Sequence, residues 1–123
     1  GNNHVVEYND FYNCLKDGST DAGIIYVGAS LSNIGTIVRN NYIHDSNSGL
    51  AAVYLDDWLS GQRVIGNVFE NVENAFFIHG GVCNTFSGNI VINAEKTCNK
   101  NGQNSALTAL FCPSYSCIVS DVL

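Results

Sequence analysis

The chain has 123 residues, of which 46% are hydrophobic and only 13% are charged, so it can form one compact domain and is too apolar for a disordered tail. Eleven Asp and Glu against five Lys and Arg give a net charge of −6, which argues against nucleic acid or an anionic membrane as the partner. No apolar run approaches the roughly 18 residues of a membrane helix. The chain also contains 12 glycines and 17 asparagines, a composition typical of short strands joined by turns.

Along the chain, one short pattern recurs four times: an asparagine, a bulky apolar residue two places later, and Asn or His four places later. The anchoring asparagines are Asn9, Asn40, Asn67 and Asn89, the apolar residues are Phe11, Tyr42, Phe69 and Val91, and the last positions are Asn13, His44, Asn71 and Asn93. The anchors are 31, 27 and 22 residues apart. Because a side-chain amide both donates and accepts, asparagines buried at a turn can bond to their equivalents in neighbouring coils.

A second repeated strand lies between these anchors and is centred on Tyr26, Tyr54 and Phe77. Strand alternation predicts that these aromatic rings form a column on the outer, solvent-facing side. Gly28, Asp56 and His79 follow at the strand ends. The residues predicted to face the core are Ile25, Val27, Val53, Leu55, Phe76 and Ile78. A weaker fourth copy is predicted at residues 106–111.

Short strands with a period of 22–31 residues and an asparagine in register predict an all-β parallel solenoid of about three to four coils. The alternative is a β-sandwich, which would give turn signals every 8–12 residues but no asparagine at a fixed position. We expect the coils to span residues 1–93, and residues 94–123 to form an irregular, Cys-containing segment or partial cap of the same domain. Since Gly1 nearly opens on a repeat strand, we also expect further coils from a longer parent chain.

Five cysteines in a chain of this size indicate a secreted or periplasmic protein. They are Cys14, Cys83, Cys98, Cys112 and Cys117, and the last three are close enough in sequence to predict one disulfide among them. The odd number leaves at least one thiol free or paired elsewhere. No C-x-x-C pair occurs and no two histidines have ligand spacing, so we predict neither zinc nor a cofactor.

The best candidate site is the acidic doublet Asp56-Asp57, followed by Trp58. Aromatic rings beside carboxylates can bind a sugar, whose C–H faces lie on the rings while its hydroxyls bond to the acids. Two carboxyls roughly 5–10 Å apart can also flank and cleave a glycosidic bond. The alternatives are that aromatic stacks merely stabilise a solenoid, and that the doublet caps a turn or binds Ca²⁺. His79, one coil further on, is expected within hydrogen-bonding reach of Asp56.

Arg39 lies just before the second asparagine anchor and is predicted to point outward. It is either a solvated charge or part of a surface salt bridge or, in a lyase, it neutralises a substrate carboxylate while a base removes a proton.

Three motifs carry a resemblance to a known family. Residues 20–26 (T-D-A-G-I-I-Y) resemble S-D-G-G-A-I-Y, residues 53–57 (V-Y-L-D-D) resemble Y-L-D-D, and residues 76–84 (F-F-I-H-G-G-V-C-N) resemble F-I-x-G-G-x-x-N. With the repeats, they make residues 1–93 similar to the right-handed parallel β-helix, or pectin-lyase-like, superfamily, and to its bacterial members that resemble glycoside hydrolases of plant-wall glycans. The resemblance implies a right-handed helix and an acid pair drawn from Asp21 and the Asp56-Asp57 doublet. Asp21 would lie roughly 23 Å from Asp56 along a straight strand, so this pair requires a bend at Ala22-Gly23.

The leading functional hypothesis is therefore hydrolysis of a poly- or oligosaccharide. Its predicted catalytic residues are Asp56, Asp57 and Asp21, and its predicted substrate-binding residues are Tyr26, Tyr54, His79, Trp58 and Arg39. The alternatives are a non-catalytic glycan-binding or adhesive solenoid and, third, a polysaccharide lyase.

Overall fold

The computed structural model describes residues 1–28, 32–46 and 51–94, and the backbone of residues 96–100, 103–105 and 118–120. This part of the chain contains fourteen strands and no helix. The strands are β1 (Val5–Glu7), β2 (Asp10–Tyr12), β3 (Gly23–Val27), β4 (Ile37–Arg39), β5 (Tyr42–Ser46), β6 (Ala51–Leu55), β7 (Arg63–Ile65), β8 (Val68–Val72), β9 (Asn74–Ile78), β10 (Thr85–Ser87), β11 (Ile90–Ile92), β12 (Lys96–Lys100), β13 (Gln103–Ser105) and β14 (Ile118–Ser120). Within the same described ranges, nothing has the helical length and apolarity needed to cross a bilayer.

Successive strands are distributed in rotation among three sheets. The first sheet has the order β1-β4-β7-β10-β14, the second β2-β5-β8-β11, and the third β3-β6-β9-β12-β13. From β1 to β9, each strand pairs in parallel with the strand three places later. The predicted all-β class and parallel pairing are confirmed, and the rotation is compatible with the predicted solenoid. We use the word coil for each set of three consecutive strands, one in each sheet. An antiparallel β-sandwich is not what these residues form.

Parallel pairing continues beyond residue 93, where the sequence predicted an irregular segment. β12 lies in parallel beside β9, and β14 lies in parallel beside β10. Only β13 turns back, in an antiparallel pair with β12. The polar sequence of this region hides a strand because β12 (K-T-C-N-K) lacks the apolar alternation of the earlier repeats. The predicted fourth copy at residues 106–111 lies outside the described residues.

The core lies between the three sheets and is filled by inward side chains from strands β1 to β11. Fully buried members include Val38, Ile43, Val53, Leu55, Val64, Phe69, Phe76, Ile78 and Phe86. The ring of Phe76 packs on Phe69 and Phe86, with centroids 4.9 and 4.7 Å apart. The burial of Val53, Leu55, Phe76 and Ile78 confirms the core predicted from alternation in β6 and β9. Each such side chain contributes roughly 1.5–3 kcal/mol to stability by leaving water.

A ladder of buried asparagines joins the coils at one corner. The side-chain Nδ2 of Asn9 donates to Oδ1 of Asn41 at 2.9 Å, Asn41 donates to Asn67 at 3.0 Å, and Asn67 donates to Asn89 at 3.0 Å. Each Oδ1 also accepts the backbone N–H of the preceding rung. The asparagine repeat was therefore predicted correctly, except that its second rung is Asn41 and not Asn40.

The error of one residue has a conformational cause. Asn40 has a φ of 53° and occupies a left-handed corner position, in line with Gly66 and Gly88 in the next coils. The strand that follows is consequently shifted by one residue. Ile43, not Tyr42, is the inward partner of Phe11 and Phe69.

The same shift places Asp45, not His44, at the next corner of the coil. Asn13, Asp45, Asn71 and Asn93 share left-handed φ values of 48–55°. Asn93 donates to Asn71 at 3.3 Å, and Asn71 donates to Asp45 at 2.8 Å. His44 contacts Asp45 and Asp10 through its two ring nitrogens, at 2.7 and 2.9 Å, and so ties β2 to β5. A second polar ladder thus holds the register at this corner.

We expect Asn67→Ala to lower the free energy of unfolding by about 3 kcal/mol or more. Asn67 is completely buried, and its removal leaves the Asn41 amide, the Asn89 Oδ1 and the Val38 carbonyl short of partners, at about 1–3 kcal/mol for each group left unsatisfied. Urea unfolding measures the loss. Asn9→Ala, at the exposed end of the ladder, is the control and should cost less than about 1 kcal/mol; equal losses in both variants would contradict this role of the ladder.

Candidate functional site

The ends of β3, β6 and β9 bring together residues that are far apart in sequence. The register of these strands aligns Tyr26 with Tyr54 and Tyr54 with Phe77. The parallel hydrogen bonding runs on past the strand ends, from Asp56 N–H to the Val27 carbonyl at 2.9 Å and from His79 N–H to the Leu55 carbonyl at 2.8 Å. Asp56 and His79 therefore lie side by side on neighbouring coils, as the sequence predicted.

Asp56 is held by hydrogen bonds on both carboxylate oxygens. Oδ2 accepts the hydroxyl of Tyr26 at 2.6 Å, while Oδ1 accepts the backbone N–H of Asp57 at 2.8 Å and contacts Nδ1 of His79 at 2.9 Å. The side chain is only 14% exposed. Burial raises the pKa of Asp56, but the hydrogen bonds from Tyr26, His79 and Asp57 outweigh it and leave the pKa below its usual value. Asp56 is therefore ionised at neutral pH.

The residues after Asp56 form a sharp, exposed turn. Asp57 and Trp58 both have left-handed φ values, 41° and 64°. The turn is fixed by a bond from Trp58 N–H to the His79 carbonyl at 3.0 Å. Asp57 and His79 are about half exposed, with Oδ1 of Asp57 3.5 Å from Nδ1 of His79. Trp58, 62% exposed, rests above Gly80, where a Cβ would come within 3.2 Å of the indole ring.

Asp21 belongs to the same cluster, contrary to the distance expected for a straight strand. The hydroxyl of Tyr54 donates to Oδ1 of Asp21 at 3.1 Å. Burial raises the pKa of this hydroxyl, and so do Asp56 and Asp21, so both carboxylates act on it. The chain bends at residues 20–21. Gly23 allows β3 to lie close to Tyr54, because a Cβ at this position would be 2.6 Å from Cβ of Tyr54.

The predicted aromatic column is only partly exposed. The rings of Tyr26, Tyr54 and Phe77 do stack edge to face, with centroids 5.0 and 4.8 Å apart. Tyr26 is 50% exposed, but Tyr54 is 4% exposed and Phe77 is also buried. The expectation of a solvent-facing column is therefore wrong for these two rings. Tyr54 contacts the site through its hydroxyl. Two exposed rings belong to the site: Tyr26, which is bonded to Asp56, and Trp58, on the turn that follows Asp57.

Arg39 is not brought to this cluster. It lies on β4 in the first sheet, and its Nε donates to Oε2 of Glu7 at 2.6 Å. The Glu7 carboxylate raises the pKa of the Arg39 guanidinium. The salt bridge, one of the two alternatives drawn from the sequence, is the arrangement found.

Asp56, Asp57 and His79 are also the residues that could hold a metal ion. Each offers one ligand atom, and these atoms lie within 4.8 Å of one another. Two carboxylate oxygens and an imidazole nitrogen form a donor set suited to several divalent cations. The repeats predict the contact of His79 with Asp56, and Ca²⁺ binding by the doublet is one of the predicted alternatives, but a donor set that combines both carboxylates with the imidazole is not predicted.

The cysteines with described side chains are unpaired. Cys14 and Cys83 are both free thiols. The disulfide predicted among Cys98, Cys112 and Cys117 lies outside the described side chains.

No protein-family profile matches the chain, and neither the curated proteins nor the solved structures include one with significant similarity to it. The residue cluster around Asp56 is therefore the feature that points to a function. That cluster combines three carboxylates, one imidazole and two exposed aromatic rings.

We expect Asp56→Asn to lower the pKa of Tyr26 from about 12 toward its ordinary value of 10.0. The hydrogen bond to Asp56 is the largest cause of the raised pKa, followed by burial and then by the charges of Asp56, Asp57 and Asp21. An NMR titration of the tyrosine rings, with Tyr26→Phe to assign the signal, measures the change. Asp57→Asn removes only a more distant charge and should lower the pKa less. A Tyr26 pKa that is unchanged in Asp56→Asn would contradict the contact.

Proposed function

We propose that the chain is a carbohydrate-active, right-handed parallel β-helix protein of the pectin-lyase-like type, and that it hydrolyses glycosidic bonds at Asp21, Asp56 and Asp57. The observation that carries the proposal is the convergence of these carboxylates, from two coils, beside the exposed rings of Tyr26 and Trp58. Supporting the fold are the rotation of strands among three parallel sheets and the asparagine ladder.

The two exposed rings supply surfaces on which a sugar can lie. Pyranose rings present apolar C–H faces, and aromatic side chains bind such faces without needing a charge. Tyr26 is fixed by its bond to Asp56, and Trp58 is fixed by the turn that follows Asp57. A sugar resting on either ring would have its hydroxyls beside carboxylate oxygens, which accept hydrogen bonds.

The carboxylates divide into two roles by their surroundings. Asp56 is enclosed, hydrogen bonded and ionised, so it suits the negatively charged role, either as the nucleophile or as the stabiliser of an oxocarbenium-like transition state. Asp57 is about half exposed and lies on the open turn, so it can approach the leaving oxygen and is the candidate for the acid. Asp21 lies across the Tyr54 hydroxyl from Asp56 and is the second candidate for that acid.

The second candidate function is glycan binding without catalysis. The observation that favours it is the number of hydrogen bonds already made by Asp56, which leave few lone pairs free for a reacting sugar. In this case the acids would orient hydroxyl groups and the rings would provide most of the affinity. A lyase is less well supported, because Arg39, the cation suited to neutralise a uronate, is paired with Glu7 on another sheet. For either function, we propose that the protein is secreted.

The experiment is a hydrolysis assay of the chain on a panel of plant, algal and animal polysaccharides. Reducing ends and unsaturated uronates are both followed, and Asp56→Asn and Asp57→Asn are compared with Asp17→Asn, an acid in an exposed turn. We expect reducing ends without unsaturated products, and a decrease of about 10²–10⁴-fold in Asp57→Asn and a comparable loss in Asp56→Asn. Asp17→Asn should retain full activity.

Other outcomes would separate the alternatives. Unsaturated uronates would contradict hydrolysis and establish a lyase. Retardation of the folded chain in polysaccharide gels without product release would establish the binding function. Hydrolysis that survives in both site variants would contradict the assignment of the site.

A further inference from the structure

The charge of the proposed site narrows its ligand to one chemical class. Resting on the proposed function, we infer that the site takes glycans whose sugars are uncharged where they contact Asp21, Asp56 and Asp57, and that it discriminates against uronates and sulfated sugars.

Negative charge is gathered at the site. Asp56 is kept ionised by the hydroxyl of Tyr26 at 2.6 Å and Nδ1 of His79 at 2.9 Å. Asp57 follows it directly, and Asp21 accepts the hydroxyl of the neighbouring Tyr54 at 3.1 Å. The hydroxyl of Tyr26 is bonded to Asp56, so a sugar that lies on the Tyr26 ring lies beside this carboxylate. A carboxylate carried by that sugar would be repelled by it.

The described side chains bring little positive charge to the site. Among the residues whose side chains are described, His79 is the one basic residue in contact with these acids. Its Nδ1 is already directed at Asp56 and Asp57. Arg39 is paired with Glu7 on the first sheet. Proteins that bind carboxylate or sulfate groups characteristically use Arg or Lys in charge-assisted pairs. Here the roles are reversed: the protein supplies hydrogen-bond acceptors, the carboxylates, and the ligand must supply the donors.

An uncharged sugar fits both the carboxylate acceptors and the exposed aromatic rings of the site. Ionised carboxylates are acceptors only, and sugar hydroxyls can donate to them. The half-exposed ring of Tyr26 and the more exposed ring of Trp58 offer apolar surface for the C–H faces of the sugar. A neutral glycan thus gains hydrogen bonds and stacking without placing like charges together.

The experiment compares glycan pairs that differ only in charge. The probes are methyl-esterified and de-esterified oligogalacturonides, cello-oligosaccharides and their C6-carboxylate forms, and xylo-oligosaccharides with and without a glucuronosyl branch. Affinities are measured by calorimetry at low and high salt. In every pair that binds, we expect the neutral member to bind at least about fivefold more tightly at low salt, and the advantage to shrink as salt screens the charges.

A variant tests whether the carboxylates cause the discrimination. Asp57→Asn removes one charge at constant size and should reduce the ratio of affinities within each pair, whereas Asp17→Asn should leave it unchanged. Equal or tighter binding of the acidic member, or an unchanged ratio in Asp57→Asn, would overturn the inference and leave the proposed function standing. Binding of no member of any pair, together with inactivity on the polysaccharide panel, would overturn both.

Discussion

A buried side-chain amide must bond on both sides, and this requirement governs the structure. Asn67 is fully enclosed, and its bonds to Asn41 and Asn89 exist only when three coils lie in one register. A slip of one residue would break these bonds and turn the core side chains of β6 and β9 outward. The asparagine ladder and the apolar core therefore specify the same stacking, so that each supports the other.

Register in turn creates the site. Tyr26, Tyr54 and His79 come from three different coils, and none of them is within twenty residues of the next. Coil stacking places them around Asp56, where two phenols and an imidazole stabilise its charge. The site is rigid where it lies on strands, at Tyr26 and Tyr54, and open where it lies on the turn of Asp57 and Trp58. The site therefore combines a fixed acid, Asp56, with an accessible one, Asp57.

Much of this could be predicted from the sequence because the strongest signals are periodic. Asn67, Asn89 and the inward residues of β6 and β9 follow directly from the repeats. The register of the second coil could not, because Asn40 and Asn41 are adjacent and only the left-handed φ of Asn40 decides between them. The burial of Tyr54 and its bond to Asp21 also escaped prediction. Alternation says which face a residue occupies, but it does not say whether that face is covered or where the chain bends before a strand.

The most direct test of this account is whether residues from three coils share one register at the site. In NOE spectra of the chain with labelled aromatic rings, the ring of Tyr54 should give strong contacts to both Tyr26 and Phe77, whose centroids lie 5.0 and 4.8 Å away. Contacts of Tyr54 to only these two aromatic rings would establish the stacking on which the ladder, the core and the site all depend. Their absence in the folded chain, or contacts from Tyr54 to Phe76 in place of Phe77, would contradict it.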